Sequence, residues 1–296
     1  MTNLKNVKEY IRALEHMLAY FKSILDEEKR VTPAPATPDE KLAELTDLRM
    51  LTKSNIWPEA IEEALVASDT EEGKNNRAEG IIEFMNANLK GKKFLDYGCG
   101  EGHVARRAVD HGAVLSVGYD PIVKDFSTPG LILTSKPLTE GDFDVVLLYD
   151  VLDHTDDPVT ILKLINRFKK TEGEVHVRCH PWTSRHGTHL YRKLNKAYLQ
   201  LIFTPQELLG MGLKGDKTTR LIDPIKTYKE WFKQAGLEIV VESTIKQDVE
   251  TFFTTRPTIV RRIKENWWGS ADPDLASGKK FPHEAMQIQF ADFVLV

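Results

Sequence analysis

Seven apolar residues, Leu4, Val7, Ile11, Leu14, Leu18, Phe21 and Leu25, open the chain at spacings of three and four, with charges between them. A seam of this kind, about three heptads long, predicts a helix over residues 1–30 that forms a coiled coil or docks on the protein's own body. The stretch "VTPAPATPD" (Val31–Asp39) breaks the period, and its prolines predict an extended linker. Helical spacing returns over 40–91, with helices expected at Glu40–Leu51, Pro58–Ala67 and Asn75–Leu89.

From Lys92 the pattern changes to short apolar runs alternating with amphipathic stretches. Strands are expected at Lys93–Tyr97, Val114–Tyr119, Leu131–Thr134, Phe143–Tyr149, Glu174–Arg178, Leu237–Ile245 and Ile288–Val296. Helices are expected at His103–His111, Pro158–Lys169, Leu190–Ile202 and Ile225–Ala235. Thr204-Pro205-Gln206-Glu207 has the form of a capping box with proline at the first helical position, and Gly236 suits a helix C-terminus. Alternating strands and helices predict a doubly wound, seven-stranded, mostly parallel α/β sheet over 92–296, with an α-helical N-terminal extension. The last two strands are separated by a long insertion, 246–287, in which Arg256, Arg261, Arg262 and Lys264 are basic and Trp267 and Trp268 are adjacent.

Composition narrows the function classes. A chain of 296 residues, 41% hydrophobic and 28% charged, is an ordinary globular protein, and its net charge of −4 disfavours a generic nucleic-acid or membrane-surface binder. Residues up to Lys90 carry 12 basic against 17 acidic side chains, a net −5, which makes a poor nucleic-acid arm. Two cysteines, Cys99 and Cys179, form no disulfide framework, and the N-terminus has no apolar leader core. A cytoplasmic location without a membrane span is therefore expected.

Chemistry concentrates in "VHVRCHPWTSRHGTHLYRKLNK" (Val175–Lys196), which holds four of the nine histidines and no acidic residue before Glu207. Three readings compete. A zinc site would draw on Cys179, His180, His186 and His189, but adjacent Cys and His point apart on a strand, and no metal is assigned. A nucleophilic Cys179 would gain a lowered pKa from Arg178 and His180. The third reading, a cationic wall for an anionic acceptor, takes Arg178, Trp182, Arg185 and His186 as substrate contacts, with Arg192, Lys193 and Lys196 on a following lid helix. His154, in "YDVLDH", and His180 are the candidate catalytic histidines.

A glycine turn, "FLDYGCGEGHVARRA", follows the first sheet strand and opens a helix. Gly98, Gly100 and Gly102 let the backbone turn sharply and approach a ligand closely. Acidic-x-Gly-x-Gly-x-Gly, here Asp96 to Gly102, resembles the first motif of the class I S-adenosylmethionine-dependent methyltransferases. "SVGYDP", "FDVVLLYDVLDH", "YKEWFKQAGLEIV" and "IQFADFVLV" extend the resemblance over Lys92–Val296. The resemblance implies that Asp96, Gly98, Cys99, Gly100 and Gly102 cradle S-adenosylmethionine. It further implies that Asp120 binds its ribose and that Tyr149 and Asp150 adjoin it. Ser135 stands where many relatives present Asp to the adenine. The implied function is methyl transfer to an anionic or polar acceptor, small or macromolecular, with nucleic acid left open. Alternatives are an assembly protein that keeps the fold and uses residues 4–25 to bind a second copy or a protein partner, an RNA pyrimidine C5 methyltransferase acting through Cys179, and an NAD-dependent oxidoreductase sharing only the glycine turn.

Overall fold

A computed structural model describes residues 38–54, 57–61, 70–216, 218–221, 223–249, 257–263, 265–266 and 283–296. The heptad stretch, residues 31–37 of the proline-rich linker and most of the 246–287 insertion, including Arg256, Lys264, Trp267 and Trp268, lie outside these residues, as do the last residues of the expected Pro58–Ala67 helix; Pro38 and Asp39, expected in the linker, instead begin a helix. The chain divides into two units, up to Ile56 and from Trp57 onward. Among its described residues the first unit has one helix, α1 (Pro38–Thr52), with Asp39 and Glu40 in its first turn and Arg49 in its last, as the helix dipole favours.

The second unit is an eight-stranded sheet in the order β3-β4-β2-β1-β5-β6-β8-β7. Its strands are β1 (Lys93–Tyr97), β2 (Leu115–Tyr119), β3 (Phe126–Thr128), β4 (Leu131–Thr134), β5 (Phe143–Tyr149), β6 (Lys169–Cys179), β7 (Ile239–Lys246) and β8 (Ile288–Leu295). All pairings are parallel except β3 with β4 and β8 with both β6 and β7. The eighth strand is β3. Where a doubly wound sheet usually places a helix between its second and third strands, "PIVKDFSTPG" makes a short hairpin edge. The reason is length: the segment holds too few residues for a crossover helix and carries a proline and a turn glycine, Gly130 at φ +82°.

Helix α2 (Glu71–Met85) and α3 (His103–Asp110) cover one face. Ile81, Ile82 and Met85 of α2 meet Phe94, Val145 and Leu147 of the sheet, so this helix packs as part of the sheet body. On the other face α4 (Pro158–Phe168) and α7 (Pro224–Ala235) bury Leu162, Ile165, Phe168, Tyr228 and Phe232 against Val146, Leu148, Val175, Val177 and Phe293. Each large apolar side chain sealed there contributes about 1.5–3 kcal/mol. Helix ends follow the sequence signals. Asp157 and Asp223 cap α4 and α7, with prolines at their first turns, and Thr204 and Glu207 form the reciprocal capping box of α6 (Pro205–Gly210). Gly236 closes α7 at φ +75°.

The continuous helix expected over Leu190–Ile202 is not formed. A 3₁₀ turn at Leu190–Arg192 and the single turn α5 (Leu199–Ile202) replace it, separated by Tyr198 at φ +59°. Long-range pairing overrides the helical spacing. The side chain of Asn195 accepts from the N–H groups of Ala60 and Ile61 and donates to Ile61 O at 2.9 Å. Trp57 Nε1 donates to Ala197 O at 2.9 Å. Leu199, Gln200, Leu201 and Ile202 are all buried, so no lid helix exists here. From the insertion, α8 (Pro257–Ile263) contributes Arg262, which pairs with Glu207 and donates to Ile202 O at the end of α5.

Candidate functional site

Strand order reverses between β1 and β5, and the sheet edge at their C-terminal ends is where this architecture opens a crevice. Three loops converge on it, after β1, β5 and β6. The glycine turn after β1 is held by Gly98 N–H and Cys99 N–H, which both donate to Tyr119 O, at 2.7 and 3.0 Å. Gly98 sits at φ +87°, and a Cβ there would stand 2.4 Å from Val151 Cγ2, so only glycine fits. Gly102 ends the turn at φ +83° and leaves the first N–H groups of α3 without a side-chain cap.

Two carboxylates flank this turn. Asp120, at the end of β2, accepts from Gly100 N–H through Oδ2 and from Ile122 N–H through Oδ1, both at 3.0 Å. Asp96 is buried, its Oδ2 has no partner, and burial pushes its carboxyl up to about 7, against the Ala105 N–H and with help from Asp120. Cys99 is half-buried, and burial together with Asp96 and Asp120 raises its thiol. Helix α2 is clamped over the turn from outside, Lys74 to Glu101 at 2.6 Å and Glu71 to His103 at 3.2 Å.

After β5, Asp150 takes φ +58°, with its N–H on Arg178 O at 2.9 Å. Its carboxylate is the hub of the histidine-rich stretch. His189 Nε2 lies 3.2 Å from Oδ2; His154 Nε2 and His180 Nδ1 lie 3.5 and 3.7 Å from Oδ1. His180 Nδ1 and His189 Nε2 are 3.1 Å apart, and the rings of His154 and His189 stack at 5.2 Å. Burial would raise Asp150, yet hydrogen bonds from His154, His180 and His189 prevail and hold its carboxyl well below the usual range. On its far side, His189 Nδ1 meets Asp216 Oδ2 at 2.9 Å. His186 packs its ring 3.9 Å from that of His180, and burial drives it down to about 2, aided by His180 and His189.

Asp153 anchors this cluster from below. It is fully buried, accepts Tyr228 O–H at 2.6 Å and His180 N–H at 2.8 Å, and burial pushes it up to about 7. It thereby ties the loop after β5 to the end of β6 and to α7.

Two sequence expectations are overturned. Cys179 is not an activated nucleophile: it is fully buried in the core beneath the sheet, and burial, together with Asp153, Asp150 and Asp292, raises its thiol far above the usual value. The stretch is also not a bare cationic wall, because its histidines surround a carboxylate. Arg178 is committed to Asp292 in a two-pronged ion pair, Nε–Oδ1 2.6 Å and Nη2–Oδ2 2.8 Å. Its guanidinium lies over Phe84 at 3.7 Å and Phe290 at 4.8 Å, with Tyr149 at 5.8 Å. Arg185 is half-buried near His186 and its carbonyl accepts Tyr198 N–H. Lys196 donates to Trp57 O, while Arg192 and Lys193 are exposed. Ser135 is paired with Asp125 at 2.9 Å.

Trp182 is buried and walls a cavity of about 300 Å³ with Phe203, Leu208 and Leu213, while Lys214 and Arg220 bring positive charge to it. Asp216 belongs to the same wall, so the cavity adjoins the histidine cluster through His189. Sequence reasoning missed Asp153, Asp216, Tyr228 and Asp292. Asp153 was readable: Asp150, Asp153 and His154 share the spacing of one helical turn. Nothing local singles out the other three.

A family model described as "Methyltransferase domain" matches residues 71–242, more than half of the chain. The chain belongs to this family and is a class I, S-adenosylmethionine-dependent methyltransferase. Among curated relatives, the ubiquinone biosynthesis O-methyltransferase of Pseudomonas aeruginosa is 25% identical over 167 residues, covering 52% of this chain and 67% of the relative. The protein of the same name from Neisseria meningitidis is 26% identical over 170 residues, with the same coverage. A solved S-adenosylmethionine-dependent methyltransferase from Mesorhizobium loti aligns with a TM-score of 0.45 at 15% identity, covering 75% of this chain and 99% of its own. Among the described residues no helix is long and apolar enough to cross a membrane.

Proposed function

We propose that this chain methylates an oxygen of an acceptor that has an apolar body and a polar reacting end. The observation carrying this reading is the juxtaposition, on one sheet edge, of a glycine cradle flanked by carboxylates with the Asp150–histidine cluster and its apolar cavity. The cradle suits S-adenosylmethionine. Asp96 offers an unpartnered buried oxygen, Gly98 and Gly102 let the turn pack closely against Val151 and Leu133, and Asp120 keeps lone pairs for hydroxyl donors. Bound there, the sulfonium supplies an electrophilic methyl group.

The remaining work falls to the chain's own residues. Transfer is an in-line displacement, so the catalytic need is alignment and the removal of one proton. Trp182, Phe203, Leu208 and Leu213 exclude water from the acceptor's body, and Lys214 and Arg220 favour an anionic group on it. Its hydroxyl then faces His154 and His180, two of the three imidazoles around Asp150. The curated relatives bear the name O-methyltransferase, which agrees with an oxygen acceptor.

The test is calorimetric titration with S-adenosylhomocysteine, followed by mass spectrometry of phenolic acceptors incubated with S-adenosylmethionine. Saturable binding that Asp120→Ala weakens at least tenfold, with a methyl ether as product, is expected. Absence of binding, or a methyl group placed only on nitrogen or carbon, would overturn the proposal.

A further inference from the structure

We propose that Asp150, His154 and His189 form a binding site for one divalent transition-metal cation, zinc or its first-row neighbours, on the acceptor side of the crevice. One ligand atom from each residue lies within 4.8 Å of the other two. Ligands around a tetrahedral zinc, with bonds near 2.1 Å, stand roughly 3.4 Å apart. Asp150 Oδ1 meets His154 Nε2 at 3.5 Å and Oδ2 meets His189 Nε2 at 3.2 Å, so each imidazole already stands at ligand-to-ligand spacing from the carboxylate.

A second, independent feature is the outer contact of His189. Its Nδ1 faces Asp216 Oδ2 at 2.9 Å, which orients the ring and leaves Nε2, 3.2 Å from Asp150 Oδ2, as the nitrogen that a cation would take in place of its present contact. Carboxylate–histidine–metal relays have this arrangement. Both Asp150 oxygens face imidazole nitrogens, Oδ1 that of His154 and Oδ2 that of His189, and a cation placed among them would replace these contacts with bonds to the carboxylate and both rings. The same carboxylate repels an anion, which excludes a phosphate held by the histidines.

The donor set selects the ion. Two imidazoles and one carboxylate suit zinc, cobalt or iron, whereas magnesium and calcium prefer oxygen donors. Three protein ligands leave a coordination position open, and the neighbouring nitrogen on that side is His180 Nδ1, 3.1 Å from His189 Nε2. The cysteine of this stretch takes no part, since Cys179 lies on the core side of β6. A second acidic grouping, Glu71, Glu101 and His103, is already neutralised by Lys74 and gives no such site. The role of the cation rests on the methyl-transfer reading: a metal-bound acceptor hydroxyl loses its proton more easily. Binding itself does not rest on it.

The experiment uses the full chain stripped with a chelator and titrated with zinc chloride by calorimetry, then with cobalt chloride by visible absorption. One equivalent is expected, with a cobalt spectrum of nitrogen and oxygen ligation and no thiolate charge-transfer band. His154→Ala/His189→Ala should abolish the one-equivalent step, and Asp216→Asn should weaken it 10–100-fold. Circular dichroism and S-adenosylhomocysteine affinity, unchanged in these variants, establish that they fold. Absence of saturable binding, a thiolate band, or full binding by the double variant overturns the proposal. Metal binding without S-adenosylhomocysteine binding would sink the methyl-transfer reading and leave the cation site standing. The reverse result would do the opposite.

Discussion

Gly98→Ala should damage the protein through one identifiable collision. The residue sits at φ +87°, where an L side chain costs about 1–2 kcal/mol. Its new Cβ would lie 2.4 Å from Val151 Cγ2, a contact that overpacking data price at about 1–3 kcal/mol. The sum, about 2–5 kcal/mol, has two separable parts. Val151→Ala removes the opposing methyl but leaves the backbone strain untouched. In a double-mutant cycle the pair should therefore show a favourable coupling of about 1–3 kcal/mol, while Gly98→Ala/Val151→Ala stays less stable than Val151→Ala alone by about 1–2 kcal/mol. Urea unfolding of the four proteins measures this, and S-adenosylhomocysteine titration shows whether the loop recovers with the stability. Additivity within about 0.5 kcal/mol would refute the reasoning, because the loop would then move away from Val151 freely.

Asp292→Ala leaves Arg178 nearly buried without its carboxylate, and a loss of about 3–5 kcal/mol is expected in urea. Arg178→Met/Asp292→Leu should recover most of it; equal instability of single and double variants would show that packing over Phe84 and Phe290, not the charge, dominates. Asp96 sets a pH dependence. Its folded pKa, about 7, lies above its unfolded value of 3.8, so the folded state binds the extra proton between these values. Stability therefore falls as pH rises from about 4 to 7, by at most about 4 kcal/mol, with Asp120 and Cys99 as the neighbouring titratable groups. Asp96→Asn should remove that share of the slope between pH 5 and pH 7; identical slopes would contradict a buried, protonated Asp96.

The sheet was legible because its signals are local. Apolar runs bounded by turn residues mark β1, β4 and β5 to the residue, and caps such as Asp223 and Gly236 act over one turn. The expected helix over Leu190–Ile202 failed for the opposite reason. Its apolar spacing suits a helix, but Asn195 and Ala197 spend their hydrogen bonds on Pro58, Ala60 and Ile61, more than 130 residues away. No window along the sequence contains that competition. The β3 hairpin was half visible: the segment was too short for a crossover helix, yet nothing local said that it would pair with β4.

The histidine-rich stretch carries a sharper lesson, since strand geometry alone divides it. Along β6 successive side chains alternate between faces. Val175, Val177 and Cys179 therefore point into the core beneath α4 and α7, while Arg178 goes to the other face and meets Phe84 of α2. The residue composition joins Cys179 to its histidine neighbours; the pleat separates them. That separation removes both the zinc set containing Cys179 and the activated thiolate, because each required Cys179 and His180 to face one ligand. What replaces them is a carboxylate from a different strand end. Asp150 belongs to β5's loop, and parallel pairing of Tyr149 with Arg178 puts it beside the exit of β6. The register thus makes the cluster electrostatically mixed. A site read from its own segment as positive becomes, once its parallel neighbour is counted, a ring of imidazoles around a negative charge, and it selects for a cation where the segment alone selects for an anion.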